Sequence, residues 1–220
     1  KAAGILHFLN FEFRQQPALI KVKELLDAGA IGTLHHIAIT AHANYMGGRP
    51  HGWLNDGQKG GGWIGAWGSH QIDAIRWLAG SAIADVNCAV RIDVPERPGG
   101  DGQPVQATAE DAFVARFTLE NGVTALLDAA FAVPMNLPGI TRLLGSGGAI
   151  DIENNAVATL RLPDREPEVF DHSADWQKKV WPSIAGWIGE IEKARAARTQ
   201  IAPSFDDGVI AAEVMDRMKA

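Results

Sequence analysis

The residues best placed to do chemistry lie in GGGWIGAWGSHQID, Gly60 to Asp73. His70 and Asp73 are three apart, which puts both on one face of a helix. An imidazole beside a carboxylate can be fixed in one tautomer and poised for proton transfer near neutral pH. The same spacing suits a histidine that only caps a helix or satisfies a hydrogen bond in the core, and spacing alone leaves both readings open. Gly60, Gly62 and Gly65 satisfy G-x-G-x-x-G. A dinucleotide fingerprint, however, needs a buried strand immediately before the glycines. Here HGWLNDGQK precedes them, polar and rich in turn residues. Gly145-Ser146-Gly147-Gly148 does follow a strand pattern, but AIDIEN behind it alternates as another strand, so no helix N-terminus is offered to an anion. The first loop reads as the entry to a helix and the second as a hairpin turn.

Several elements must position this stretch. Ile5 to Phe13 is apolar and aromatic and is expected to be a buried strand. Pro17 can open a helix whose apolar residues Leu19, Val22, Leu25 and Leu26 recur at helical spacing, with Gly29 as its stop. Thr33 to Ala43 alternates as a strand, and Asn44 to Gly62 is a long polar loop. Ala66 to Leu78 reads as the helix that carries His70, closed by Gly80. Asp85 to Val94 alternates. EDAFVARFTLENGVTALLDAAFAV reads as two strands joined at Asn121-Gly122, a strong hairpin signal. Arg142 to Leu144, Ala149 to Ile152 and Ala156 to Leu162 give further strands. Two helices follow. One, around Trp181 to Ala197, has Ile184, Trp187, Ile188 and Ile191 on one side, and the other runs from about Asp207 to Met218. Bunched hairpins imply an α+β fold, with a large, mostly antiparallel open sheet and helices on one face.

The bulk numbers narrow the function classes. The chain has 220 residues and a formal net charge of -6. That balance gives no general attraction to nucleic acid or anionic membranes. No apolar run is long enough to span a bilayer, so no membrane role is expected. The single cysteine, Cys88, excludes an intramolecular disulfide and fits a reducing compartment, with the cytoplasm the expected location. Its setting, DVNCAVRIDV, marks it as a small core residue. His35 and His36 would point to opposite faces of a strand, and with no H-E-x-x-H or Cys/His cluster a metal site is not expected. Asp206-Asp207-Gly208 reads as a helix N-cap, and Glu110-Asp111 as a strand end or an arginine partner.

The chain also resembles the C-terminal domain of the glucose-fructose oxidoreductase, inositol dehydrogenase and rhizopine-catabolism (Gfo/Idh/MocA) family. The resemblance is carried, in order, by FEFRQQPALIKVKELLDAGAIGTLHHI, GGGWIGAWGSHQIDAIRWLAG, AEDAFVARFTLENG, LLGSGGAIDI and PSFDDGVIAAEVMD. Residues 1–220 would then be the substrate-binding and oligomerisation domain. NAD or NADP would be held mainly by an N-terminal Rossmann domain absent from this chain, and the start at KAAGILHFLNFEF fits a piece of something longer. The family motif G-G-G-x-x-x-D-x-G-x-H-x-x-D maps onto Gly60, Gly61, Gly62, Gly68, His70 and Asp73, with Ala66 at its first Asp position. The resemblance implies oxidation of a secondary alcohol of a sugar, cyclitol or related polyol, with His70 or a lysine of the missing domain taking the hydroxyl proton and Asp73 binding substrate.

Trp53 and Trp63 crowd the glycine loop and would stack on sugar C–H faces, whereas Trp67 reads equally as core. Lys59 would contact an acidic group of the substrate or simply be solvated. Arg14, in FR at the family's Arg-aromatic position, would lie near the cofactor. Two alternatives accompany the dehydrogenase reading: a nicotinamide-assisted hydro-lyase or glycosidase, and a non-catalytic sugar-binding or dimerisation module. A homodimer or higher homo-oligomer through the open sheet face is expected, because that face needs a cover.

Overall fold

A computed structural model describes residues 4–178 and 180–220. Residues 4–11 form no strand, and Glu12–Gln15 is a 3-10 turn. The expected strand from Ile5 to Phe13 is therefore corrected. Its apolar residues pair with no strand. They pack sideways instead, Phe8 edge-on to Trp187, while Leu9 N–H donates to the Pro203 carbonyl at 3.1 Å.

Helix α1 (Pro17–Asp27) starts on its proline and buries Ala18, Leu19 and Val22. Strand β1 (Leu34–His42) follows. The long loop after it is built of short 3-10 turns at Trp53–Asn55 and Gly57–Lys59. A π-helical turn (Ile64–Gly68) runs into α2 (Ser69–Ala79), so the helix begins earlier than Ala66 and with a widened first turn. Then come β2 (Ile83–Arg91), the short β3 (Glu96–Pro98) and β4 (Pro104–Gln106), β5 (Ala112–Leu119) and β6 (Thr124–Ala130). Strands β7 (Ile140–Gly145), β8 (Ala149–Glu153), β9 (Val157–Arg161) and β10 (Glu168–Asp171) complete the strand-rich part, and α3 (Pro182–Ala197) and α4 (Phe205–Lys219) end the chain.

The main sheet has the order β10-β9-β8-β7-β1-β6-β5-β2. Every neighbouring pair is antiparallel except β1 and β6, which run parallel at the centre. Strands β3 and β4 pair separately. The β5–β6 turn is fixed by its sequence. Gly122 has φ 84°, and Asn121 uses its side chain to accept from Val123 N–H and to donate to the Ala79 carbonyl. The hairpin tip is thereby tied to the end of α2.

Alternation along the strands separates the two sheet faces. Ile37, Ile39, Phe113, Phe117, Leu127, Leu143 and Ile150 are buried on the covered face with Ile72 and Ile75 of α2. Each such side chain contributes about 1.5–3 kcal/mol on burial. The opposite face mixes polar side chains with apolar ones such as Leu126 and Leu144. Asp151 there accepts from Arg142 at 2.6 Å and from Arg161 at 3.1 Å. On α3 only Trp187 of the expected apolar stripe is buried. Ile188 is half exposed.

Candidate functional site

The glycine loop is a structural entry to α2. Gly62 has φ 107°, a region that disfavours side chains, and a Cβ there would collide with the Glu110 carboxylate. That carboxylate accepts the Ile64 N–H at 2.9 Å, so it caps the first helical turn from 46 residues away. The side of the loop that would have to meet a pyrophosphate is filled by protein. The residues of this chain therefore do not fit the phosphates of a dinucleotide, and the glycine pattern is a packing device. Asp111, beside Glu110, pairs with the fully buried Arg97, which also donates to the Met46 carbonyl at 2.5 Å. This pair pins the long loop against the sheet.

On one flank of α2 lies His70. Its ring stacks on Phe13 (centroids 4.7 Å apart, 29° between planes) and meets Phe11 edge-on at 5.6 Å. Nδ1 lies 3.5 Å from Oε2 of buried Glu12. Both atoms are buried and neither has a hydrogen-bond partner. Burial holds the His70 pKa below its ordinary value, and the carboxylates of Glu12 and then Asp73 pull it back up. The ring is thus biased towards the neutral form, which can accept a proton.

Asp73 shares this face of the helix but does not meet His70 directly. Its two oxygens receive a fork from Arg14, with contacts of 2.7 and 2.5 Å. Arg14 also donates to Asp207 of α4 at 3.2 Å. Burial opposes the charge on Arg14, but Asp73, with Asp207 behind it, outweighs burial and holds the guanidinium above its ordinary pKa. Burial likewise pushes the Asp73 carboxyl upward, and the fork opposes that push. Asp207 takes one further role. It is the N3 residue of a capping box whose N-cap is Ser204, so the Asp206-Asp207-Gly208 stretch follows the cap and does not form it.

The adjacent flank of α2 faces a cavity of about 330 Å³ at the C-terminal end of β1. Trp67 and Gln71, one turn apart, form one wall. Phe131 and Tyr45 continue it, stacked on each other at 5.9 Å. Opposite stand Asn136, Thr141, Asn154 and Asn155. Gln71 is 6% exposed, and its amide makes no hydrogen bond to the described residues and is not fully enclosed. His42 also lines the cavity, with Nε2 3.2 Å from Asp128. Amides, hydroxyls and an aromatic wall suit a polyhydroxyl ligand.

The other candidate residues lie elsewhere. Trp63 stacks on Phe131 at 3.9 Å, but its indole N–H is buried without a partner and the ring does not line the cavity. Trp53 is 57% exposed on the loop. Lys59 pairs with Asp56 at 3.1 Å and points to solvent. Trp67, which the sequence left between core and site, is the tryptophan at the cavity. Glu12, Gln71 and the asparagines carried no motif. Burial pushes the Cys88 thiol up to about 11, which keeps it protonated. Among the described residues, no group of three or more His, Cys, Asp and Glu side chains could hold a metal ion, and no helix is long and apolar enough to cross a membrane.

Residues 19–151 match the GFO/IDH/MocA C-terminal domain, more than half of the chain, and the chain belongs to that family. It is 27% identical to glucose-fructose oxidoreductase domain-containing protein 1 of Xenopus tropicalis, over 98% of this chain and 61% of that protein. It superposes on levoglucosan dehydrogenase in complex with NADH and levoglucosan with a TM-score of 0.87 at 20% identity, covering 98% of this chain and 63% of the other. A third relative is the galactose/lactose metabolism regulatory protein GAL80 of Kluyveromyces lactis, 25% identical over 54% of this chain and 28% of that protein. The chain thus spans less than two thirds of each.

Proposed function

We propose that this chain is the substrate domain of an NAD(P)-dependent oxidoreductase that oxidises a secondary alcohol of a sugar, cyclitol or related polyol. The observation that carries the reading is the pairing, on neighbouring flanks of α2, of a desolvated His70 with a hydroxyl-matching cavity. Residues 1–220 would serve substrate binding and oligomerisation, and the nucleotide would be held mainly by a domain outside them. A bound nicotinamide supplies the hydride acceptor. What falls to this chain is the alcohol and its proton. Trp67 and Phe131 offer apolar faces to the ring of the substrate, and Gln71, Thr141 and the asparagines exchange hydrogen bonds with its hydroxyls. His70 takes the hydroxyl proton or hands it to a lysine of the other domain. Arg14 and Asp73 serve by bracing α2 against α4, so that the His70 ring stays in place. The open sheet face is proposed as the contact between copies, where the Arg142–Asp151–Arg161 ladder would meet its symmetry mate.

One observation favours a second reading. Ala66 stands where the family pattern has an acid, and GAL80, a regulatory protein, is among the relatives. A binding module without turnover would keep the cavity and use His70 only as a contact. One experiment separates the two. The whole protein, with its nucleotide domain, is screened for NAD and NADP reduction against sugars, cyclitols and sugar acids, beside His70→Ala. Substrate-dependent reduction that drops about 100-fold or more in the variant supports the enzyme. Cofactor binding with no reduction by any substrate, and sugar affinity that survives the substitution, supports the module.

A further inference from the structure

The carboxylate that positions His70 is read most naturally from the sequence as Asp73, but the structure directs it elsewhere. Both Asp73 oxygens are engaged by Arg14. Glu12 Oε2 faces His70 Nδ1 at 3.5 Å, and these are two buried polar atoms with no other partner. Leaving two buried polar atoms unsatisfied is costly, so a proton between them is the arrangement that the burial favours. The ring cannot turn away easily, since Phe13 stacks on one face and Phe11 meets it edge-on. Nε2 has no partner among the described residues, yet it is not one of the enclosed atoms, so it is the nitrogen left open.

From this geometry we infer that Glu12 is the positioning residue of the reaction: it accepts the Nδ1 proton of His70, fixes that tautomer, and leaves Nε2 as the atom that exchanges a proton with the substrate hydroxyl. The inference rests on the proposed role of His70 and adds to it a second residue from a different element. When Nε2 takes the substrate proton, the ring becomes an imidazolium with a proton on each nitrogen, and the Glu12 carboxylate stabilises it across the Nδ1–H contact. Charged groups around the ring come from three elements. Glu12 and Arg14 lie on the 3-10 turn, Asp73 and Arg76 on α2, and Asp207 on α4; both aspartates are bound to Arg14, and Arg76 lies 3.8 Å from Asp207. Glu12 is thus the nearest negative charge not already paired with an arginine.

The test uses the whole protein and three variants, Glu12→Gln, Glu12→Asp and His70→Ala, with kcat and kcat/KM followed against pH. Glu12→Gln removes a negative charge beside the ring, so the acid limb assigned to His70 should move to lower pH, with kcat down about tenfold and KM little changed. Glu12→Asp, which keeps the charge on a shorter arm, should restore the position of the limb and part of the rate. The pH titration of the His70 Cε1–H resonance, followed by NMR in wild type and Glu12→Gln, should show the same displacement without reliance on turnover. An acid limb and a resonance that both stay put in Glu12→Gln, while His70→Ala abolishes turnover, overturn the role of Glu12 and leave that of His70 standing. Turnover that survives His70→Ala overturns both.

Discussion

The two flanks of α2 are built for opposite purposes. One is dry and ionic: His70 lies against Phe11 and Phe13, Glu12 faces it, and Asp73 is clamped by Arg14. One residue beyond His70, Gln71 looks into a cavity walled mainly by amides, hydroxyls and aromatic rings, where the ionisable pair, His42 with Asp128 at 3.2 Å, sits on β1 and β6 and not on the helix. A single step along a helix rotates the side chain by about 100°, so adjacent residues can serve separate compartments. The difference teaches where each kind of energy is held. Charge is kept where burial makes it strong and holds it still. Recognition is kept where groups remain free to bond to something that arrives.

If that contrast holds, the largest effect of any substitution should come from the ionic flank and appear as stability. Asp73→Ala leaves the Arg14 guanidinium with only Asp207, and should cost about 3–5 kcal/mol in urea unfolding. A loss below about 1 kcal/mol would show that Asp207 suffices and that the flank is not clamped. His70→Ala comes next. It should cut turnover about 100-fold, equivalent to about 2.7 kcal/mol, and lower the melting temperature less than Asp73→Ala does, since the ring packed on Phe11 and Phe13 is lost. The histidine also leaves a mark on folding. Its pKa in the folded chain is lowered from 6.5, so below that value the unfolded chain binds more protons. The related stability is present above pH 6.5 and is lost as pH falls towards the folded pKa, and His70→Gln should flatten that part of the slope.

Smaller effects should come from the cavity flank. Gln71→Leu removes hydrogen-bonding capacity from a wall, and should raise KM about 5- to 10-fold while kcat and unfolding stay near wild type. A fall in kcat instead would mean that recognition and proton handling are not divided along the helix. Lys59→Ala should do least. Its side chain is 67% exposed and its one partner is Asp56, so both stability and KM should stay within about 0.5 kcal/mol of wild type.

The parts of this arrangement visible in the sequence are those set by local rules. Pro17 and Gly29 bracket α1, Asn121-Gly122 announces the β5–β6 hairpin, and GSGG marks the β7–β8 turn. The same local reading fails at Ile5–Phe13, where Phe8 packs on Trp187 and Phe11 and Phe13 pack on His70 and no strand pairing forms, contacts that come from elements far along the chain. It passes over β3, β4 and β10, which are three or four residues long, largely exposed, and in β3 and β4 contain proline. The site divides in the same way. His70 stood out because a motif carries it, and Asp73 was placed on the correct face. The partners of both, Glu12 and Arg14, come from a turn across the fold, and periodicity within α2 carries no information about them. Trp67 could be separated from Trp53 and Trp63 only once the π-turn had set their directions.

The parallel pairing of β1 at the centre of the sheet has a consequence for how the molecule is made. Ile37 lies beside Ala125 of β6 on one side and Leu143 of β7 on the other. A ribosome therefore releases β1 on the order of 100 residues before either neighbour exists, about 5–20 s at ordinary translation speeds. Through that interval a strand carrying Ile37 and Ile39 has two bare edges. The wall that Gln71 will share with Thr141 and the asparagines is still being synthesised. Nascent chains stopped short of β7 should thus be clients for chaperones and blind to ligand, and the cavity comes into being only after Asn155 has been made.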